Sequence, residues 1–261
     1  YKANPVINLT IAYLITLGGI GFAVISSVIM VIRKGVDRFN LTSKVAIIIS
    51  MILTFGGMIV FFILEYSNPT TLGDLNFFQK ILASYFQSVT LRTAGFNTIP
   101  LKDLRAATIF ICCILMFIGA SPGSTGGGIK TTTFGIILFY VIGIVKKRES
   151  IEIFNRRLDW EVMNRALAIL VLALTYISVI ITLLLIIEDF PVEEIIFEVI
   201  SAFGTVGLTL GITPELSSIS KLLIIVTMFV GRLGPLTFAL AIGEDKKKAL
   251  IKYPKENILV G

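Results

Sequence analysis

The chain has 261 residues, 55% of them hydrophobic and only 15% charged, with a mean hydropathy of +0.91 and a formal net charge of +6. A soluble domain of that size would lack the polar exterior it needs, so the composition points to a polytopic α-helical membrane protein. There is no histidine, which removes the commonest metal ligand and general base; Cys112 and Cys113 are adjacent and cannot staple distant segments.

Five long apolar runs are expected as membrane segments, at residues 5–32, 45–64, 106–145, 166–187 and 222–242. The first begins almost at Tyr1, without the charged flank and small-residue cleavage pattern of a signal peptide, so the chain reads as the carboxyl part of something longer. Arg33, Lys34, Arg38 and Lys44 follow it. Lys146, Lys147, Arg148, Arg156 and Arg157 follow the third run, and Lys246, Lys247 and Lys248 follow the fifth. The stretch 187–197, after the fourth run, carries Glu188, Asp189, Glu193 and Glu194 with no Lys or Arg. Basic clusters beside apolar runs set topology rather than bind nucleic acid. They put the second-to-third and fourth-to-fifth connections outside the cell and the C-terminus in the cytoplasm.

Each outer connection contains a shorter apolar stretch, 77–90 and 191–203, too short to span. On length alone these are surface helices. The glycine-containing turns directly after them favour helices that enter the membrane partway and return as a loop, the second starting at Pro191. Thr93-Ala94-Gly95-Phe96 and Thr205-Val206-Gly207-Leu208 lie 112 residues apart (95 to 207), as do Gly119 and Gly231. Gly18-x-x-Gly21 likewise matches Gly231-x-x-Gly234. The expected architecture is all-α: two copies of helix–pore helix–filter loop–helix, preceded by the last helix of another copy. The divisions fall at residues 1–36, 37–160 and 161–261.

A Thr-x-Gly turn suits passage of a bare monovalent cation. Backbone carbonyls replace its water shell without the full charge that would trap it, and glycine most easily adopts the φ/ψ values that aim successive carbonyls one way. A short helix whose carboxyl end faces the ion adds a favourable dipole.

The third run is too long for one span and is broken by Gly119, Ala120, Ser121, Pro122, Gly123, Ser124, Thr125, Gly126, Gly127 and Gly128. A phosphate-binding loop would need Lys directly after the last glycine, but Ile129 intervenes. A helix broken inside the membrane fits better, since unpaired backbone is tolerated there only beside a cavity. Arg232 is the one charge deep in the fifth run, where an uncompensated cation costs at least ~3 kcal/mol. It is expected to lie beneath the Thr-x-Gly turns, bond the 119–128 loop and add a positive barrier, or else to hold helices together; the two roles can coexist. The five runs contain no Asp, Glu or His, which disfavours a proton relay and an intramembrane enzyme. Glu193, Glu194 and Glu198 either concentrate cations at the outer mouth or form a solvated acidic face.

Ser88–Thr98, Gly119–Lys130 and Ser201–Thr209 together resemble the Trk/Ktr/HKT superfamily of potassium transporters over essentially the whole chain. The Ser-Pro-Gly-Ser loop and the ending 253–261 are similar to the bacterial Ktr membrane subunit, here its carboxyl-terminal half. The resemblance implies four repeats around one pore, of which this chain holds the third and fourth. It puts the potassium filter at Arg92, Thr93, Ala94 and Gly95 and at Gly204, Thr205, Val206 and Gly207, with K+ held by backbone carbonyls. It makes the 119–128 loop, with Arg232, a gate below the filter. It further implies an amino-terminal half supplying the other two filter loops, a homodimer, a cytosolic nucleotide-binding regulatory subunit docking at the lysine clusters, and Na+ as a coupling or activating ion in the cell membrane. The competing class is a secondary transporter of another small cation or solute built on broken helices in inverted repeats. Both copies here run in the same sense, as expected around a pore.

Overall fold

The computed structural model describes residues 4–34, 40–147, 151–235 and 237; Arg38, Arg148, the lysines at 246–248 and the ending 253–261 lie outside them. Helix α1, Pro5–Ile20, starts with proline in its first turn and Asn4 capping the Ile7 N–H. It stops at Gly21, and α2, Phe22–Lys34, leaves at 96° to it. The run expected as one span is therefore a broken pair. Gly21 sits at φ 88°, and the Phe22 N–H turns away to the Gly123 carbonyl (3.1 Å).

Helices α3, Leu41–Glu65, and α7, Trp160–Ile187, have 25 and 28 residues and are the two described helices that alone are long and apolar enough to cross a membrane. Between them lie α4, Phe77–Thr90, then α5, Ala106–Phe117, and α6, Thr131–Val145. Helix α4 begins with a capping box between Asn76 and Gln79. After α7 come α8, Val192–Phe203, and α9, Ser218–Leu233. Pro191 caps α8 from outside rather than opening it. The exception to the all-α expectation is a two-residue hairpin, β1 Glu152–Ile153 with β2 Arg156–Arg157, turning through Phe154 and Asn155 at positive φ. The order long helix, short helix, Thr-x-Gly loop, helix occurs in α3–α5 and again in α7–α9.

One apolar cluster joins α4 and α5 to Phe197 of α8 and Val206; a second packs α7, α8 and α9 around Phe203. Elsewhere α3, α7 and α9 turn Phe55, Ile59, Ile63, Ile186, Leu222 and Phe229 outward, an apolar exterior suited to lipid. Helix α3 runs one residue past the apolar stretch 45–64, to Glu65, which is fully buried. Its oxygens accept from Asn68 Nδ2 (2.6 Å), Thr71 Oγ1 (2.7 Å), the Arg105 N–H (3.0 Å) and Thr108 Oγ1. This clasp ties the end of α3 to the start of α5.

Candidate functional site

The short helices α4 and α8 each end in a Thr-x-Gly loop of the same construction. The Gly95 N–H reaches back five residues to Thr90 O (3.2 Å), and in the second loop the same reach is made one position earlier, from the Val206 N–H to Ser201 O (2.9 Å). Thr93 (φ 64°) and Gly95 (φ 76°) have positive φ with Ala94 between them negative; Thr205 (φ 51°) and Gly207 (φ 89°) repeat the pattern around Val206. Both loops thus leave the ordinary helical and extended backbone at the same two places. Glycine accepts it freely, but a β-branched threonine in the left-handed region is a strained outlier of the kind that gathers at functional sites. The two loops touch: a Cβ at Gly95 would overlap the Val206 carbonyl.

Behind the loops the two halves differ. Thr90 Oγ1 donates to Phe96 O (2.7 Å) in the first. Arg92, expected among the filter positions, sends its side chain away to α3, where it donates to Ser50 O (2.9 Å), Ser50 Oγ (2.8 Å) and Thr54 Oγ1 (3.1 Å). The matching position after α8 is Gly204, whose Cα lies so close to Met116 and Ile200 carbonyls that a Cβ would crowd them. Glu193 is exposed and Glu194 half-buried, but Glu198 is not at the surface with them. It is 5% exposed, accepts from Thr213 Oγ1 (2.6 Å), and borders a cavity of about 340 Å³ shared with Ser201, Thr205, Gly207 and Thr209.

The glycine-rich loop between α5 and α6 lies against both threonines. A Cβ at Gly126 would overlap the Thr93 side chain; one at Gly127 would lie 2.6 Å from Thr205 Oγ1. The Gly127 N–H donates to that same Thr205 Oγ1 (2.9 Å). The neck of the loop is closed by Gly119 N–H to Ile129 O (2.9 Å) and Ile129 N–H to Phe117 O (3.1 Å). Ser121 Oγ meets Thr131 Oγ1 (3.0 Å), Ala120 is buried, and Pro122 and Ser124 are half-buried. On one side the loop fills the break in the first helix pair: Ser121 N–H bonds Gly19 O (3.0 Å), Thr125 N–H bonds Gly18 O (3.2 Å), and the Pro122 carbonyl abuts Gly21. On the other it hangs from α9, with Gly128 N–H on Gly231 O (3.1 Å) and the Arg232 guanidinium on Thr125 O. Arg232 thus touches the loop at one carbonyl, and its residue is exposed. Sequence reasoning missed Lys130, whose Nζ donates to Gly126 O (2.6 Å). Its position directly after Gly-Gly-Gly-Ile was the available signal.

The TrkH family, described as cation transport protein, matches residues 1–249. Over 261 residues the chain is 43% identical to the Ktr system potassium uptake protein B of Bacillus subtilis, covering 100% of this chain and 58% of that protein. It is 38% identical over 266 residues to the potassium/sodium uptake protein NtpJ of Enterococcus hirae, again covering 100% of this chain and 58% of the relative. In fold it is similar to the crystal structure of the potassium transporter TrkH from Vibrio parahaemolyticus, with a TM-score of 0.76 at 18% identity, covering 92% of this chain and 52% of that one. The chain spans about half the length of the curated relatives it matches.

Proposed function

This chain belongs to the TrkH family of cation transport proteins, and we propose that it forms part of a potassium-uptake pore in the cell membrane. On this reading the two Thr-x-Gly loops are half of a selectivity filter, and K+ passes along the carbonyls of residues 92–95 and 204–207. The glycine-rich loop 119–128 is the gate, held shut by Arg232, whose charge also opposes a cation beneath the filter. The observation that carries the reading is the shared + − + alternation of φ in both loops, with one glycine-rich loop packed under both threonines. Two loops line half a ring, so the reading calls for two more, supplied by an amino-terminal half of the same pore. It divides the chain at residues 1–36, 37–160 and 161–261, with the C-terminus in the cytoplasm. The Bacillus and Enterococcus relatives, named for potassium and for potassium/sodium uptake, support K+ as the cargo and Na+ as a coupling or activating ion. A homodimer and a cytosolic nucleotide-binding regulatory subunit complete the assembly.

The test is rubidium uptake by the full-length protein in cells lacking other potassium transporters. Gly95→Ser combined with Gly207→Ser abolishes uptake or collapses the preference for rubidium over sodium. Uptake with unchanged preference would overturn the filter assignment.

A further inference from the structure

The Thr205 hydroxyl is claimed by the glycine-rich loop. Its oxygen accepts the Gly127 N–H at 2.9 Å, and Gly127 is packed so tightly beneath Thr205 that no side chain fits between them. Thr205 is also the residue with which the second Thr-x-Gly loop begins its strained course. A hydroxyl oxygen has two lone pairs and one proton. A dehydrated cation at the inner end of the loops would seek the same oxygen. The positive end of the Gly127 N–H dipole, aimed at that oxygen, would face the cation.

We propose that potassium at the innermost filter position and the closed glycine-rich loop compete for Thr205 Oγ1, so that the permeating ion itself biases the loop open. This rests on the pore reading above and adds a regulation to it. Coupling of this kind is reciprocal: an ion that loosens the loop binds less tightly when the loop is closed, by the same factor. One neutral hydrogen bond sets the scale, roughly a 2- to 13-fold change in the ratio of open to closed loop.

The device is asymmetric. At Thr93 the facing residue is Gly126, whose carbonyl is held by Lys130 Nζ (2.6 Å) and whose N–H turns to Ser124 Oγ (3.4 Å). The loop therefore presses on both threonines but donates to Thr205. Lys130 holds the Gly126 carbonyl, which shares a peptide plane with the Gly127 N–H, and Arg232 holds the Thr125 carbonyl one unit earlier. Together they keep the Gly127 N–H aimed at Thr205, so losing that partner means turning or shifting the whole peptide unit.

The experiment uses the full-length transporter, spin-labelled at Ser124→Cys on the loop and Val6→Cys on the exposed start of α1; Cys112 and Cys113 are buried and escape labelling. Pulsed dipolar spectroscopy then reads the loop position in potassium chloride and in choline chloride at equal ionic strength. Potassium is expected to shift the distance distribution toward a second population. Thr205→Val, which keeps the shape but removes the acceptor, produces that shift without potassium, by roughly 2- to 13-fold, and blunts the response to the ion. Thr205→Ser restores both. A wild-type distribution indifferent to potassium overturns the proposal without any variant, as does a Thr205→Val protein that responds like wild type. Rubidium uptake by the wild-type protein, tested against Gly95→Ser with Gly207→Ser, separates the two failures. If that pair abolishes uptake while the loop ignores potassium, the pore stands and the coupling falls.

Discussion

Two glycines inside helices make a matched test of the packing. Gly56 in α3 has nothing within 4 Å of where a Cβ would sit. Gly231 in α9 has the end of α8 there: a Cβ would overlap the Phe203 carbonyl, with its carbon 2.7 Å and the Phe203 Cα 3.0 Å away. Replacing either by alanine favours the helix by roughly 0.5–1 kcal/mol, which is the whole effect at Gly56. At Gly231 the obstacle is backbone, which cannot swing aside, so α9 must retreat at about 1–3 kcal/mol. The retreat also strains the Gly128 N–H bond to Gly231 O (3.1 Å), worth about 0.5–1.5 kcal/mol. Gly231→Ala therefore costs about 0.5–4 kcal/mol net, and the apparent melting temperature in detergent falls by roughly 1–16 °C. Gly56→Ala leaves it unchanged or slightly higher. Melting of Gly231→Ala at or above wild type, or an equal fall for Gly56→Ala, would refute the close approach of α9 to the end of α8.

The same assay reads two polar anchors. Arg92→Lys keeps the charge but gives up the fork that reaches both Ser50 and Thr54, costing roughly 2–4 kcal/mol in charge-assisted bonds, so unaltered melting would contradict the anchoring of the first loop to α3. Glu65→Gln places an amide donor against groups that are themselves donors. Threonine hydroxyls can turn to accept, but the Arg105 N–H cannot, and Asn68 would have to release Thr70; a loss of about 1–3 kcal/mol is expected. A glutamine variant that melts like wild type would mean that the carboxylate is not what joins α3 to α5.

The short helices were legible because their signals are local. The stretch 77–90 is bounded by Asn76 before it and the Thr-x-Gly turn after it, and α4 occupies those residues. The break at Gly21 was hidden because hydropathy sees only an unbroken apolar run, while its cause, the Pro122–Gly123 backbone, lies a hundred residues on. The glycine spacing was visible as a repeat, though not as a break. Gly18-x-x-Gly21 matches Gly231-x-x-Gly234, and both helices end in nearly the same conformation, φ 88° and ψ 144° at Gly21 against φ 92° and ψ 138° at Gly234. Directions of long side chains were not legible. Arg92 and Glu198 stand where sequence puts a filter and a mouth, yet each turns to a partner on another segment, α3 for one and Thr213 for the other. Glu65 escaped because the apolar run ends at Leu64 while the helix goes one residue further.

The glycine-rich loop has no large side chain with which to build a core, so its position is set by single hydrogen bonds to several elements. The neck is the firm part: residues 118 and 129 pair as a parallel bridge, and Thr131 N–H adds a bond to Ala120 O (3.2 Å). The tip, 125–127, depends on Gly18, Arg232, Lys130 and Thr205, each from a different stretch of chain. A displacement of the tip that frees Gly127 breaks its bond to Thr205 and the one its carbonyl accepts from the Ala120 N–H (3.4 Å), a cost of about 1–3 kcal/mol. That lies within the 1–3 kcal/mol typical of allosteric coupling, so an ion with modestly different affinity for the two loop positions is enough to move it. A loop with bulky residues would pack better and could not answer so small a signal. Glycine here serves closeness to Thr93 and Thr205, and the resulting weakness is what the proposed gate would use.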